Sequence, residues 1–250
     1  MFIFWKLYVL PWGQMSLWGN FFVPQMINFN DITILLCSLP FIKPKTKSNR
    51  RIGPHNEDVI SVIIGSMLGD SYGEKHGMGT RFILQQEESN MEYLVGFHQF
   101  FKDRGYCSET IPKIQIRLGK NSKKRYLYRF RTFTFTSFNW IQEMYYPNGV
   151  KCVPKEIGKY LTPLALAVWI QDDGGKVSSG LKIATNSYTL EEVQFLCEIL
   201  NNKYQFNTRP QSAGVSNQYI IYFPKSSIET LSKLIKPYMV PSMYYKLNGY

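Results

Sequence analysis

Leu164-Ala165-Leu166-Ala167-Val168-Trp169-Ile170-Gln171-Asp172-Asp173-Gly174-Gly175 is an apolar run that closes on two acids and two glycines. Its length and composition predict a buried helix, and the acids and glycines mark its end. A related run, Val62-Ile63-Ile64-Gly65-Ser66-Met67-Leu68-Gly69-Asp70, lies about a hundred residues earlier. Gly65 and Gly69 stand one helical turn apart, so a second backbone can approach there, and Ala167 offers a small surface on the other helix. Packed side by side, the two helices would bring Asp70 and Asp173 to one point. Two carboxylates together on a basic protein suggest a divalent-metal site facing phosphate.

Composition narrows the partner. The 250 residues, 44% hydrophobic and 16% aromatic, are enough for one large core or two modest ones. A net charge of +11 and a pI near 9.4 make a polyanion the natural partner, nucleic acid before a membrane surface. Cys37, Cys107, Cys152 and Cys197 are scattered without a CxxC pair, and the histidines are His55, His76 and His98. Neither a zinc cluster nor a disulfide framework follows from that pattern. Carboxylates are left as the credible ligands, and each histidine is expected at the surface or in packing.

Residues 1 to 42 are rich in Phe, Trp, Leu and Ile, and Lys43-Pro44-Lys45-Thr46-Lys47-Ser48-Asn49-Arg50-Arg51 forms a basic, turn-prone linker. A boundary near residue 50 follows, with residues 1–50 a leader without catalytic chemistry. Apolar stretches such as Ile32 to Leu36 fall short of the roughly 20 residues a spanning helix needs, and Pro11, Pro24 and Pro40 interrupt the rest. No membrane partner is expected, and a signal peptide's charged start and small-residue cleavage site are missing. Within the leader, Leu7-Tyr8-Val9-Leu10-Pro11-Trp12-Gly13-Gln14-Met15-Ser16-Leu17-Trp18-Gly19 resembles mitochondrial cytochrome b, and the similarity stops after Gly19. Such a fusion implies translation from an upstream exon into an intron, hence a gene in an organelle genome and a mitochondrial protein.

Beyond the leader the pattern is written twice. Tyr72 to Glu87 reads as a hairpin, a helix starts behind Ser89, strands follow over Pro112 to Leu118 and Arg125 to Phe135, and a short helix runs from Phe138 to Tyr145. After Asp173 the same order recurs: a hairpin over Gly174 to Thr185, a helix over Thr189 to Asn202, strands over Gln205 to Gln211 and Gln218 to Phe223, and a helix over Ser226 to Ile235. Two pseudo-symmetric halves result, 56–148 and 163–250, joined by a linker over 149–162 that begins at Pro147-Asn148-Gly149.

In Lys113-Ile114-Gln115-Ile116-Arg117-Leu118, alternation sets Lys113, Gln115 and Arg117 on one side and assigns Ile114, Ile116 and Leu118 to the core. Arg81, Arg125 and Arg129 extend the polar face, and Lys176, Lys182, Arg209, Gln211 and Gln218 supply its counterpart in the second half. Basic and amide side chains on one sheet face can hold phosphates and read base edges.

These two motifs, the repeated order and the basic sheets resemble the LAGLIDADG homing endonucleases, the single-chain kind encoded in organelle introns. The resemblance covers about residues 56 to 248. It is carried by Ile63 through Ser71, by Tyr160-Leu161-Thr162-Pro163 through Lys176, and by the tail Ile235 to Leu247. It implies an α+β protein of two αββαββα halves whose antiparallel sheets form a saddle over double-stranded DNA, acting as a monomer. It further implies Mg²⁺ ions on Asp70 and Asp173, with the carbonyls of Gly69 and Asp172 completing the metal shell and the Asp172 side chain in a supporting or capping role. Lys151 and Lys246 match peripheral active-site lysines, and Gln86 a water-positioning residue. The implied activity is hydrolysis of one phosphodiester in each strand of a long, non-palindromic site in the intronless host gene, cytochrome b. The alternative on this same fold is an intron RNA maturase, with intron RNA as its partner. Ser71 stands where the family has glycine, and Val168 and Asp172 where it has small residues, so the halves are expected to be unequal.

Overall fold

In the computed structural model the described residues are 46–47, 50–51, 53–119, 122, 124–247 and 249. The leader's apolar part and its cytochrome b-like stretch lie outside them. Elements run in the order α1 (Glu57–Leu68), β1 (Tyr72–His76), β2 (Gly79–Glu87), α2 (Met91–Asp103), β3 (Ile114–Leu118), β4 (Lys124–Arg131) and α3 (Asn139–Tyr145). A short α4 (Ile157–Tyr160) leads into α5 (Pro163–Asp173), and the order then repeats. The second set is β5 (Gly174–Val177), β6 (Gly180–Ala184), α6 (Leu190–Tyr204), β7 (Arg209–Ser212), β8 (Tyr219–Phe223) and α7 (Lys225–Ile235). Each half is therefore αββαββα, with antiparallel four-stranded sheets ordered β1-β2-β4-β3 and β5-β6-β8-β7. Among the described residues no helix is long and apolar enough to cross a membrane.

The two motif helices are the axis of the molecule. Every residue of α1 from Ser61 to Leu68, and of α5 from Leu164 to Gln171, is buried, as helices apolar on all sides must be. Thr162 caps α5 by accepting from the Ala165 N–H at 3.1 Å, and its hydroxyl donates across the interface to Ser61 Oγ at 2.8 Å. A Cβ on Gly65 would lie 2.3 Å from the Ala165 carbonyl oxygen and 2.8 Å from Val168 Cβ; one on Gly69 would lie 2.6 Å from Asp172 Cβ. The bulkier second-motif residues, Val168 and Asp172, thus sit over the glycines of the first, which is why the two motifs differ. Ala165, rather than the expected Ala167, faces Gly65. Three buried tyrosine hydroxyls fasten the pair from outside: Tyr145 donates to the Ile64 carbonyl, Tyr188 to Leu68 and Tyr93 to Val168, each at 3.1 Å.

Two readings are corrected. Ser89 does not cap a helix; it lies in a 3-10 turn, Glu88–Asn90, and α2 begins at Met91 behind Asn90. In the second half the cap does form, where Thr189 and Glu192 make a reciprocal capping box at the start of α6. The second correction concerns β3: Ile114, Ile116 and Leu118 are not core residues but are 44%, 59% and 72% exposed. Sheet order explains it, since β3 is the edge strand while α2 packs on β2 and β4.

His55 shows how a histidine is absorbed by packing. Its ring stacks on Phe138 at 4.1 Å, and its nitrogens bond Tyr106 Oη and Ser137 Oγ, each at 2.8 Å. Burial pushes it down from 6.5 to about 4. An unfolded chain therefore takes up this proton before the folded one does, and stability present above pH 6.5 is lost as pH falls toward 4. Thermal melts across that range are expected to show His55→Gln losing less stability on acidification than the parent; equal losses would refute it.

Candidate metal centre and nucleic-acid face

Both motif helices end in acid at the same end of the interface. Burial, first, and then the charge of Asp70 push the Asp173 carboxyl up to about 7, with Lys151 and Lys246 pulling the other way. Asp172 is raised strongly by burial and then by Asp70 and Asp173. Three carboxylates thus share one electrostatic neighbourhood, a condition that a divalent cation relieves. The donors are hard oxygens, which fit Mg²⁺ rather than a thiolate metal. Among the described residues no group of three or more His, Cys, Asp or Glu has coordinating geometry. Asp70 and Asp173 are the pair that would hold such an ion, leaving positions for water and phosphate oxygens.

Asp172 faces inward across the interface. Its Oδ2 accepts from the Asp70 backbone N–H at 3.4 Å, and its Oδ1 accepts from Gln86 Nε2 at 3.2 Å. The same amide donates to Asp70 Oδ2 at 2.9 Å, and Asn90 Nδ2 donates to Gln86 Oε1 at 3.1 Å. Gln86 is therefore held among side chains from three segments: the turn after α1, the 3-10 turn before α2, and the end of α5.

The lysines are arranged in matched fashion. Lys151 donates to the Gly69 carbonyl at 3.0 Å and to Ser71 at 3.4 Å; Lys246 reaches the carbonyls of Ile170, Gln171 and Asp172. Each ammonium thus lies on the carbonyl just before an acid, the same two carbonyls that the resemblance offers to metal. Burial lowers the basicity of both, and the nearby aspartates oppose it. Gln171 closes the second half: its amide accepts from the Val240 N–H at 2.7 Å and donates to the Ala167 carbonyl at 3.2 Å.

Register sorts the sheet residues by face, because directly opposed antiparallel residues share a side. In the first sheet, Arg81 opposes Glu74, Arg117 opposes Arg125, Arg129 opposes Gln85, and Arg131 opposes Ile83. All five arginines lie on one face, with Gln115 opposite Leu127; Lys113 immediately precedes β3 and is exposed. Arg131 was missed from the sequence, although the spacing of Arg125 and Arg129 already pointed to it. Glu74 holds Arg81 at 2.6 Å, Glu87 pairs with Arg125, and Arg129 donates to the Tyr72 hydroxyl. In the second sheet Lys182 opposes Tyr222, which also opposes Arg209, and Gln211 opposes Ile220. Arg209 stacks on Tyr222 at 5.3 Å, an aromatic contact the sequence reading did not anticipate. Gln218, just before β8, accepts from Asn186 at 2.6 Å. Lys176 is not with them: it opposes Leu181, a core residue, so its register puts it on the helix-packed side. A cavity of about 530 Å³ joins the arginine face to Asp70, and Gln86, Asn90, Arg117, Arg125 and Leu127 are among the residues that line it.

Comparison with known proteins agrees with this architecture. The model of the LAGLIDADG DNA endonuclease family matches residues 60–231. The chain belongs to that family. It is 36% identical to the cytochrome b mRNA maturase bI2 of Saccharomyces cerevisiae over 97% of this chain and 69% of the relative. To the intron-encoded endonuclease ai4 of Dictyostelium discoideum it is 42% identical over 60% of this chain and 98% of that one. Its fold matches the homing endonuclease I-WcaI bound to its DNA recognition sequence, with a TM-score of 0.73, 26% identity, and coverage of 82% of this chain and 94% of that one. The α+β, two-sheet LAGLIDADG architecture expected from the motifs is thus the one observed.

Proposed function

We propose that this LAGLIDADG protein is a site-specific, divalent-metal-dependent DNA endonuclease that cuts both strands of a long, non-palindromic site in the uninterrupted host gene. The observation that carries the reading is the meeting of the two motif ends, where the Asp70 N–H donates to Asp172 beside Asp173, in a protein whose two sheets each carry basic residues on one face. Bound Mg²⁺ supplies charge that polarises the phosphate and makes water a better nucleophile at neutral pH. Asp70 and Asp173 hold it, Lys151 and Lys246 bring positive charge beside the reacting phosphates, and the arginine face fixes the duplex. The chain works as a monomer, because both halves of the site come from one polypeptide. On this reading the host gene is cytochrome b and the protein is mitochondrial, which the leader's resemblance to cytochrome b and the yeast relative named a cytochrome b mRNA maturase support.

That relative, similar along nearly the whole chain, also supports a second reading, an RNA maturase for the host intron. One experiment separates the two. Purified chain is incubated with Mg²⁺ and a duplex spanning the uninterrupted cytochrome b exon junction, with EDTA as control, and binding to the host intron RNA is measured in parallel. Metal-dependent double-strand cleavage is the expected result; no cleavage together with tight intron binding decides for the maturase.

Binding should be strongly salt-dependent. With about 8 phosphate contacts, the log–log slope of affinity against salt is expected near −7, and each phosphate-contacting arginine changed to alanine should lower its magnitude by about 1. Arg117→Ala and Arg131→Ala, titrated at several salt concentrations, test this, and a flat profile would exclude the arginine face as the DNA surface.

A further inference from the structure

Lys151 belongs to the segment between α3 and α4, and three consecutive residues there are fastened to three different helices. The Lys151 ammonium donates to the Gly69 carbonyl at the end of α1 at 3.0 Å. The Cys152 N–H donates to the Tyr145 carbonyl at the end of α3 at 2.9 Å. The Val153 N–H donates to Glu192 Oε1 at 2.7 Å, in the first turn of α6 and 39 positions further on. The Val153 side chain is itself buried in the core. Glu192 has a second task, since its Oε2 accepts from the Thr189 N–H at 2.8 Å and completes the capping box of α6. A capping box uses one carboxylate oxygen; here the other leaves the helix and takes hold of the segment that carries Lys151.

Resting on the nuclease reading above, we infer that Glu192 is a positioning residue for Lys151: the carboxylate that caps a helix of the second half sets the place of the lysine that lies against the acid-bearing end of the first motif. Two residues of chain span at most about 7 Å, so the Val153 anchor confines the point from which the Lys151 side chain starts. A lysine side chain is a flexible stem, and its ammonium keeps one address only when its backbone does. Hydrogen bonds to a carboxylate are stronger than neutral ones, and a catalytic group misplaced by about 1 Å loses about a hundredfold in rate. Lys246 is served by a similar device inside its own half, where Gln171 accepts from the Val240 N–H at 2.7 Å, six residues earlier. The Glu192 contact differs in direction: it makes the first acid's lysine depend on the second half.

The test compares single-turnover cleavage of the exon-junction duplex at saturating protein, with duplex affinity in Ca²⁺ measured alongside. Glu192→Ala removes both the cap and the hold on Val153. Thr189→Ala weakens the same cap but leaves its N–H, and so Glu192, in place; it is the control for lost helix stability. Lys151→Met and Glu192→Ala are each expected to slow the saturated rate at least about tenfold, with affinity within about twofold of the parent and Thr189→Ala close to the parent rate. The double variant decides the pathway. If Glu192 acts through Lys151, adding Glu192→Ala to Lys151→Met slows cleavage by no more than about twofold further, because no positioned ammonium remains to be lost. Melting midpoints of all variants ensure that rates are compared on folded protein. The inference is overturned if Glu192→Ala cuts no more slowly than Thr189→Ala, if Lys151→Met cuts at the parent rate, or if the two losses multiply in the double variant; in each case the nuclease reading stands. A parent chain that does not cut at all removes that reading, and the role of Glu192 with it.

Discussion

Asp70→Asn and Asp173→Asn are each expected to reduce double-strand cleavage by about 10² to 10³-fold or more, while duplex affinity in Ca²⁺ changes little. Asparagine keeps the size and one acceptor oxygen but brings no negative charge to a divalent ion. The sheets that carry the arginines are untouched, so loss of cleavage with retained binding separates the acids from the recognition surface. Stability points the same way. In the metal-free protein the charge of Asp70 raises both Asp172 and Asp173, so removing it relieves a repulsion. The melting midpoint of Asp70→Asn without metal should therefore not fall, and added Mg²⁺ should stabilise the parent more than the variant. Cleavage surviving both substitutions would show that the carboxylates are only helix ends.

Gly65→Ala is expected to destabilise the fold by about 3 kcal/mol, although alanine is the better helix former. Removing glycine from a helix interior gains about 1 kcal/mol. Against that, the new methyl carbon would lie 2.3 Å from the Ala165 carbonyl oxygen, and backbone cannot swing aside as a flexible side chain can. Overpacking costs typically 1–3 kcal/mol, occasionally more, and this position is at the upper end because two buried helices must separate. In a chain of this size the melting midpoint should drop by about 6–12 °C. Cleavage should fall with it, since the same separation pulls apart Asp70 and Asp173. Gly69→Ala meets the Asp172 side chain instead and is expected to cost less stability while loosening the hold on Asp70. An unchanged midpoint in Gly65→Ala, measured by thermal denaturation, would contradict the close helix contact.

Much of the molecule is legible without coordinates, and the reason is local. Two runs of apolar residues ending in acid and glycine can hardly be anything but buried helices, and the strand and helix order that follows each of them repeats because the periodicity does. From those facts come the two halves, the pairing of Asp70 with Asp173 and the basic character of the sheets. The misreadings arose where a residue's surroundings, rather than its neighbours in sequence, decide its fate. Alternation in β3 is real, yet its apolar side is exposed because α2 packs on β2 and β4 and β3 lies at the edge beyond them. Lys176 is basic and next to the motif, but strand register turns it toward the helix side.

Only the tertiary structure decides what the acids touch. That Gln86 bridges Asp70 and Asp172, that Asp172 crosses to the opposite motif, and that lysines from two distant segments lie on the carbonyls of Gly69 and Asp172 are contacts between residues 16 to 102 positions apart. Sequence pattern encodes burial and periodicity, which one segment establishes by itself. A hydrogen bond across an interface depends on the relative placement of two segments to a fraction of an ångström, and that placement is set by the whole packed core.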